Sequence, residues 1–117
     1  MPLTVMPIYG TRPEAIKMAP IVKALQDSDE FQCVVTVTGQ HREMLDQVNE
    51  IFDITPDHDL NIIRPRQTLN GVLTRTVEGL DAIFEQNAPD AVVVQGDTTT
   101  STAGAIAAFY RGIPVIH

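Results

Sequence analysis

Ala91–Thr102, AVVVQGDTTTST, is the stretch from which the fold can be read. Val92, Val93 and Val94 form a continuous β-branched run, which suits a strand buried on both faces of a parallel sheet. Gly96 then allows a tight turn, and Asp97 stands where the strand hands over to a helix. The small residues Ala103, Gly104, Ala105, Ala107 and Ala108 continue that helix. In open α/β sheets, ligands bind at this edge, outside the carboxyl ends of the strands. Asp97 therefore has two readings. Its carboxylate caps the free N–H groups of Thr98–Thr100, or it faces a polar or anionic pocket furnished by the threonine hydroxyls and the helix N-terminus.

Outward from this stretch, strands and helices alternate. Leu3–Tyr9 reads as the first strand, with Pro7 out of place because proline cannot donate to a ladder and usually sits at an edge or bulge. Gly10–Glu14 is the corner after it. Gly10 permits the turn, Thr11 or Arg12 occupies the cap, Pro13 suits the first helical position and Glu14 favours the positive helix end. The helix buries Ile16, Ala19 and Val22, with Ala15, Met18 and Leu25 beside them, and Pro20 should kink it or delay its start. Gln32–Thr38 is the second strand, Gly39–Arg42 the next corner, and Arg42–Phe52 an amphipathic helix on Met44, Leu45, Val48, Ile51 and Phe52. Asp53–Arg66 is mostly loop, with room for a short strand at Leu60–Ile63. Thr68 caps a third helix whose face is Leu69, Val72 or Leu73, Val77, Leu80, Ile83 and Phe84. The Thr98–Tyr110 helix, Gly112 as its stop and an Ile113–Ile116 strand complete the pattern.

This alternation specifies an α/β fold with a parallel sheet and right-handed crossovers. With strand order 3-2-1-4-5, the first strand and Val92–Val94 are neighbours at the topological switch point. Gly10–Glu14 and Gly96–Thr100 then lie side by side, and Arg12 and Asp97 share one hollow.

With 117 residues, 44% of them hydrophobic, the chain can bury one core. Its net charge of −7 argues against nucleic acid or an anionic membrane as the main partner. Cys33 is the only cysteine, so no internal disulfide forms and a reducing, cytoplasmic setting is expected. No apolar run is long enough to span a bilayer and no secretory leader is expected. The chain ends on a strand that should feed a further helix, as a truncated domain would.

Neither GxGxxG nor GxxxxGK[ST] occurs. Arg12 beside a helix start either pairs with a phosphate or with a neighbouring carboxylate. Lys17, one turn on, reaches the same cavity or stays solvated. Arg64, Arg66 and Gln67 form an anion-binding rim or solvate a loop, and His41 meets a ligand or a backbone carbonyl. Cys33, His41, His58 and His117 show no metal spacing, so no metal site is expected. Asp97 is the one candidate general acid or base.

Four motifs stand in order: Gly10–Pro20 (GTRPEAIKMAP), Gln40–Gln47 (QHREMLDQ), Asp59–Ile62 (DLNI) and Gly96–Thr100 (GDTTT). In these the chain resembles the non-hydrolysing UDP-N-acetylglucosamine 2-epimerases. The resemblance implies a partial N-terminal Rossmann-like domain, residues 1–117, of a two-domain GT-B-type enzyme whose C-terminal nucleotide-binding domain is absent here. It implies interconversion of UDP-GlcNAc and UDP-ManNAc by elimination and re-addition of UDP, without cofactor or metal, in a cytoplasmic homodimer serving cell-surface polysaccharide synthesis. By resemblance Asp97 is the catalytic carboxylate, and Arg12, Lys17 and Thr98 bind substrate. Gln40, Glu43, Arg66 and neighbouring Gln67 line a second, allosteric nucleotide-sugar site. A later glutamate-bearing family segment lies past His117, so the chain is expected to be inactive alone. A related GT-B glycosyltransferase and a non-catalytic nucleotide-sugar-binding module are the alternatives. Two residues depart from the family pattern: Pro7, and Ile116 where a small residue is usual. Ile116 either crowds the cleft or packs into the sheet.

Overall fold

A computed structural model describes residues 2–117. Its strands are β1 (Leu3–Tyr9), β2 (Phe31–Cys33), β3 (Thr36–Val37), β4 (His58–Asp59), β5 (Ala91–Val93) and β6 (Val115–Ile116). The helices are α1 (Arg12–Gln26), α2 (Arg42–Ile51), α3 (Leu69–Gln86) and α4 (Thr99–Tyr110). Every strand pairing is parallel. The order is β4-β3-β1-β5-β6, with β2 also pairing β1. Counting β2 and β3 as one interrupted strand, this is the order expected from the sequence.

The interruption has a cause in Pro7. The Val34 N–H donates to the Val5 carbonyl and the Thr38 N–H to the Tyr9 carbonyl, so odd-numbered residues of β1 serve this flank. Pro7 is one of them and presents no N–H. The ladder lapses between Cys33 and Thr36, and Val35 turns to Asp57 instead. Its N–H donates to Asp57 Oδ2 at 2.8 Å, and its carbonyl accepts from the N–H groups of Asp57 and His58 at 2.8 and 3.1 Å. A proline is thus tolerated in the central strand because its neighbour breaks beside it. The single Gln32–Thr38 strand is corrected to two.

Other boundaries also differ. The short strand lies at His58–Asp59 rather than Leu60–Ile63, although the Leu60 and Ile62 N–H groups still donate to the Val37 and Thr38 carbonyls. The last strand shortens to Val115–Ile116. Thr11, not Arg12, is the α1 cap, and the helix starts at Arg12 without delay. Pro20 lies inside it on the exposed side, where water can serve the carbonyl left without a donor.

Because successive side chains of a strand point to opposite faces, β1 feeds two cores. Val5 and Tyr9 pack with Met18, Ala19, Val22, Leu45 and Val48 beneath α1 and α2. Met6 and Ile8 pack with Leu80, Phe84, Val92 and Ala107 beneath α3 and α4. The Tyr9 hydroxyl donates to Asn49 Oδ1 at 2.7 Å, and burial raises its pKa above the ordinary value. Ile16 does not join the core. The buried arc of α1 runs through Ala15, Met18, Ala19 and Val22 and leaves Ile16 47% exposed. Met44 and Ile51 likewise flank the buried Leu45–Val48 side of α2, and Leu69 projects from the first turn of α3.

Cys33 is half-buried, and burial together with the nearby Asp57 carboxylate pushes its thiol from 9.0 up to about 11. The folded chain therefore holds this proton where the unfolded chain has lost it. The stability contributed by the neutral thiol is complete below pH 9 and is lost as pH rises through about 11. Dithionitrobenzoate at pH 8 should react slowly with the native chain and rapidly in urea, as the thiolate is the nucleophile. Equal rates would contradict this burial.

Strand β6 is the sheet edge, and Phe109, Tyr110 and Ile116 are exposed beside it. Unpaired edge groups next to apolar side chains favour association. Sedimentation velocity should show concentration-dependent association that Ile116→Lys reduces; a monomer at all concentrations would count against it.

Candidate active site

Strands β1 and β5 are neighbours, and the corners that follow them meet. Gly10 is the point of closest approach. A Cβ there would overlap Thr38 Oγ1, lie 2.7 Å from Thr100 Oγ1 and stand 3.3 Å from the Gln40 Cβ. The glycine therefore serves packing rather than a left-handed turn; among the glycines the positive φ angles belong to Gly39, Gly96 and Gly112. The hydroxyls beneath it close a ring. The Gln40 N–H donates to Thr38 Oγ1 at 3.4 Å, and the Thr38 and Thr100 hydroxyls are 3.0 Å apart. Thr100 donates to Gln40 Oε1 at 2.6 Å. With the Thr100 proton committed to Gln40, Thr38 is the donor between the two threonines. Three strand-end corners are tied together in this way.

Glu14 makes the second tie. It is 2% exposed, and its Oε1 accepts from the Gly10 N–H, the Thr11 N–H and the Thr11 hydroxyl at 3.1, 3.1 and 3.0 Å. Its Oε2 accepts from the Thr98 hydroxyl at 2.6 Å. A buried carboxylate is costly unless donors satisfy it. Here four donors and the positive end of α1 do so.

Thr98 also caps α4, accepting the Ser101 N–H at 3.2 Å. The capping reading of Asp97 is thereby corrected, since its neighbour holds that post. Asp97 is exposed, and among the described residues its carboxylate accepts no hydrogen bond. It lines a cleft of about 420 Å³ together with Ser101, His117, Val94, Ile106 and Val115. A ring nitrogen of His117 lies 2.8 Å from the Gly96 carbonyl oxygen in the turn. Ile116 is not in this lining. It pairs with Val93 and is 53% exposed, so it takes a place in the edge of the sheet and does not crowd the cleft.

Arg12 and Lys17 are exposed on the adjoining corner, and neither forms an ion pair among the described residues. The reading of Arg12 as partner of a surface carboxylate is set aside. Arg12 does not line the cleft at Asp97; the two corners touch through Glu14–Thr98 and through Gly10, and the cleft opens toward β6.

At the second corner the guanidinium engaged is Arg42. It donates to Asp46 Oδ1 and Oδ2 at 3.0 and 3.1 Å, and to Asp59 Oδ1 and Asn61 Oδ1 at 3.0 and 3.2 Å. These bonds hold the start of α2 against β4, and Asp59 first, then Asp46, raise the arginine's pKa. Gln40 belongs to the Thr38–Thr100 ring, whereas Glu43 and Arg66 are exposed and Arg66 has a φ of 55°. Gln67 Oε1 accepts from Arg75 at 2.6 Å. Arg64 donates to the carbonyls of Asn61 and Ile63, so it holds its own loop. His41 is exposed; its backbone N–H donates to the Gly10 carbonyl at 3.0 Å, while its ring makes no hydrogen bond among the described residues. No group of three or more His, Cys, Asp or Glu suited to a metal ion occurs among the described residues, and no described helix is long and apolar enough to cross a membrane.

Glu14 and Thr100 are the contributors that the sequence understated. The Thr11-x-x-Glu14 spacing is a capping-box signature, which points to the local half of Glu14's bonding. Nothing local announces Thr98 or Thr100 as partners across the fold.

Residues 23–117 match the sequence family described as UDP-N-acetylglucosamine 2-epimerase. The chain belongs to that family. The UDP-N-acetylglucosamine 2-epimerase of Escherichia coli K12 is 54% identical over 98% of this chain and 31% of its own length. The Neisseria meningitidis UDP-GlcNAc 2-epimerase, in a crystal structure bound to UDP-GlcNAc, superposes with a TM-score of 0.89 at 49% identity, over 97% of this chain and 31% of that one. Staphylococcus aureus MnaA, in its co-structure with UDP, gives 0.91 at 48% identity over 97% and 30%. The chain thus spans about 30% of the length of these family members.

Proposed function

We propose that this chain carries part of the nucleotide-sugar site of a UDP-GlcNAc 2-epimerase. The observation that supports this most directly is the exposed, unpaired Asp97 carboxylate on a corner bonded to the one that bears the unpaired Arg12. Its relatives from N. meningitidis and S. aureus are bound to UDP-GlcNAc and UDP.

In the reaction, the proton on sugar C2 is removed as the C1–O bond to UDP breaks, leaving a 2-acetamidoglucal. UDP then adds back at C1 while a proton reaches C2 from the opposite face, which gives UDP-ManNAc. The sequence is redox-neutral, so no nicotinamide is consumed. Asp97 moves a proton on one face. Arg12 and Lys17 offset the charge of the departing diphosphate, and Thr98 orients the substrate at the helix N-terminus. The opposite face needs a second acid or base, and in a chain of the relatives' length a further domain closes the cleft over uridine. Gln40, Glu43, Arg66 and Gln67 line a second nucleotide-sugar site. The enzyme works as a cytoplasmic homodimer that supplies surface-polysaccharide synthesis.

The test is a titration of the 117-residue chain with UDP-GlcNAc, followed by ¹H–¹⁵N spectra and by the anomeric signals of the sugar. Shifts concentrated at Gly10–Lys17 and Gly96–Thr100 without turnover are expected. No response at either corner would overturn the reading. Formation of UDP-ManNAc by this chain would overturn the need for a second group.

A further inference from the structure

We infer that Glu14 is a positioning residue, a strut whose two carboxylate oxygens hold the Asp97-bearing turn at a fixed place against the Arg12-bearing corner. The inference rests on the proposed reading for its functional meaning, but its physical content stands on the geometry alone.

A residue placed only to cap α1 would satisfy the N–H groups of its own corner. Glu14 does this with a single oxygen, Oε1, which takes all three donors from Gly10 and Thr11. The other oxygen is spent entirely on Thr98, 84 positions along the chain, at the short distance of 2.6 Å. Thr98 adjoins Asp97, and its hydroxyl oxygen also receives the Ser101 N–H, so the bond grips the first turn of α4 as well as the loop before it. The carboxylate is withdrawn from solvent, which strengthens each bond and leaves it little freedom to touch a ligand. The adjacent Gly96 turn, by contrast, has no atoms within 4 Å of where a Cβ would stand. The side chains that do hold this turn, the Ser101 hydroxyl at 3.1 Å and a His117 ring nitrogen at 2.8 Å from the Gly96 carbonyl, come from α4 and the end of β6, and neither reaches the Arg12 corner. The turn's position relative to Arg12 is therefore set by Glu14, with the Gly10 contact and the Thr38–Thr100–Gln40 ring supporting α4 one turn further along.

What the strut requires is reach first and charge second. Glutamine keeps the reach: its oxygen can face Gly10 and Thr11 while its amide donates to Thr98 Oγ1. Aspartate keeps the charge but is one methylene too short to meet both corners. Residue-resolved hydrogen exchange on the 117-residue chain separates these. In Glu14→Asp, the Ser101 and Thr102 amides, which bond Thr98 and not Glu14, should exchange about ten-fold faster. The mid-sheet amides of Met6, Ile8 and Val92 should be unchanged. Glu14→Gln should stay within about three-fold of the parent chain. Should Glu14→Asp fail to fold, Thr98→Val severs the same bond from its other end. Gly10 and Thr11 should then exchange faster, and Thr98→Ser should restore them. Unaltered Ser101 and Thr102 exchange in a folded Glu14→Asp chain, or loss in Glu14→Gln with retention in Glu14→Asp, would overturn the strut.

Affinity for UDP-GlcNAc adds a readout that a purely structural cap would not move. It should fall about ten-fold in Glu14→Asp and recover in Glu14→Gln. Equal affinity in both would overturn the positioning role. A parent chain that does not respond to UDP-GlcNAc at all would count against the proposed reading, while the exchange pattern would still decide the strut.

Discussion

Gly10→Ala should destabilise the chain by about 2–5 kcal/mol, from overpacking and from breaking a buried hydrogen-bonded ring. The added Cβ overlaps Thr38 Oγ1 and falls 2.7 Å from Thr100 Oγ1, so those hydroxyls cannot keep their places. Both threonines are fully buried, and moving either leaves a polar group without its partner. Backbone strain contributes nothing, since Gly10 is absent from the glycines with positive φ. Against a total of about 5–15 kcal/mol for a typical domain, this is a large share. Urea unfolding followed by circular dichroism reads it directly. Gly96→Ala supplies the contrast: its φ is +79°, but no atom lies within 4 Å of the new methyl. It should cost only the left-handed strain of about 1–2 kcal/mol. Equal midpoints for Gly10→Ala and the parent chain would show that the three corners are not packed as described.

Asp97→Asn should have the larger functional effect. Asparagine keeps the size and removes the group proposed to move the proton. Turnover of UDP-GlcNAc in a family chain of the relatives' full length should therefore fall by about 10²–10⁴. KM should change little, since the proposed diphosphate contacts lie on Arg12 and Lys17. Stability should move by less than about 0.5 kcal/mol, because the Asp97 side chain is exposed and holds no capping bond. This separation between kcat and stability makes the variant informative. Coupled NMR assay of UDP-ManNAc formation together with thermal unfolding checks both halves. Full turnover in Asp97→Asn would reduce Asp97 to a turn residue.

The sheet order was legible because its determinants are local and repeated. Val92–Val94 and Leu3–Tyr9 read as buried strands, and the intervening stretches are long enough for right-handed crossovers. The break between β2 and β3 was not legible, because its cause, Pro7, lies in a different strand. Nor was the exposure of Ile16, since helical spacing fixes which residues share a face but not how wide an arc the neighbours cover. At the candidate site, the corners and the exposed polar groups could be read from strand-to-helix turns. The bonds among them could not. Glu14–Thr98 and Thr38–Thr100 join residues far apart in sequence, and a threonine carries no sign of which hydroxyl it will meet.

The alternation of β1 between two cores has a consequence for how the molecule comes apart. Ile8 and Tyr9 are consecutive, yet one belongs to the layer under α3 and α4 and the other to the layer under α1 and α2. Each layer can breathe without dissolving the other, so long as the central strands common to both stay seated. Partial openings of this protein should therefore come in two kinds, one for each side of the sheet. Leu3–Tyr9 and the β5 strand beside it, whose Val92 and Val93 divide in the same way, are the pieces whose departure ends both.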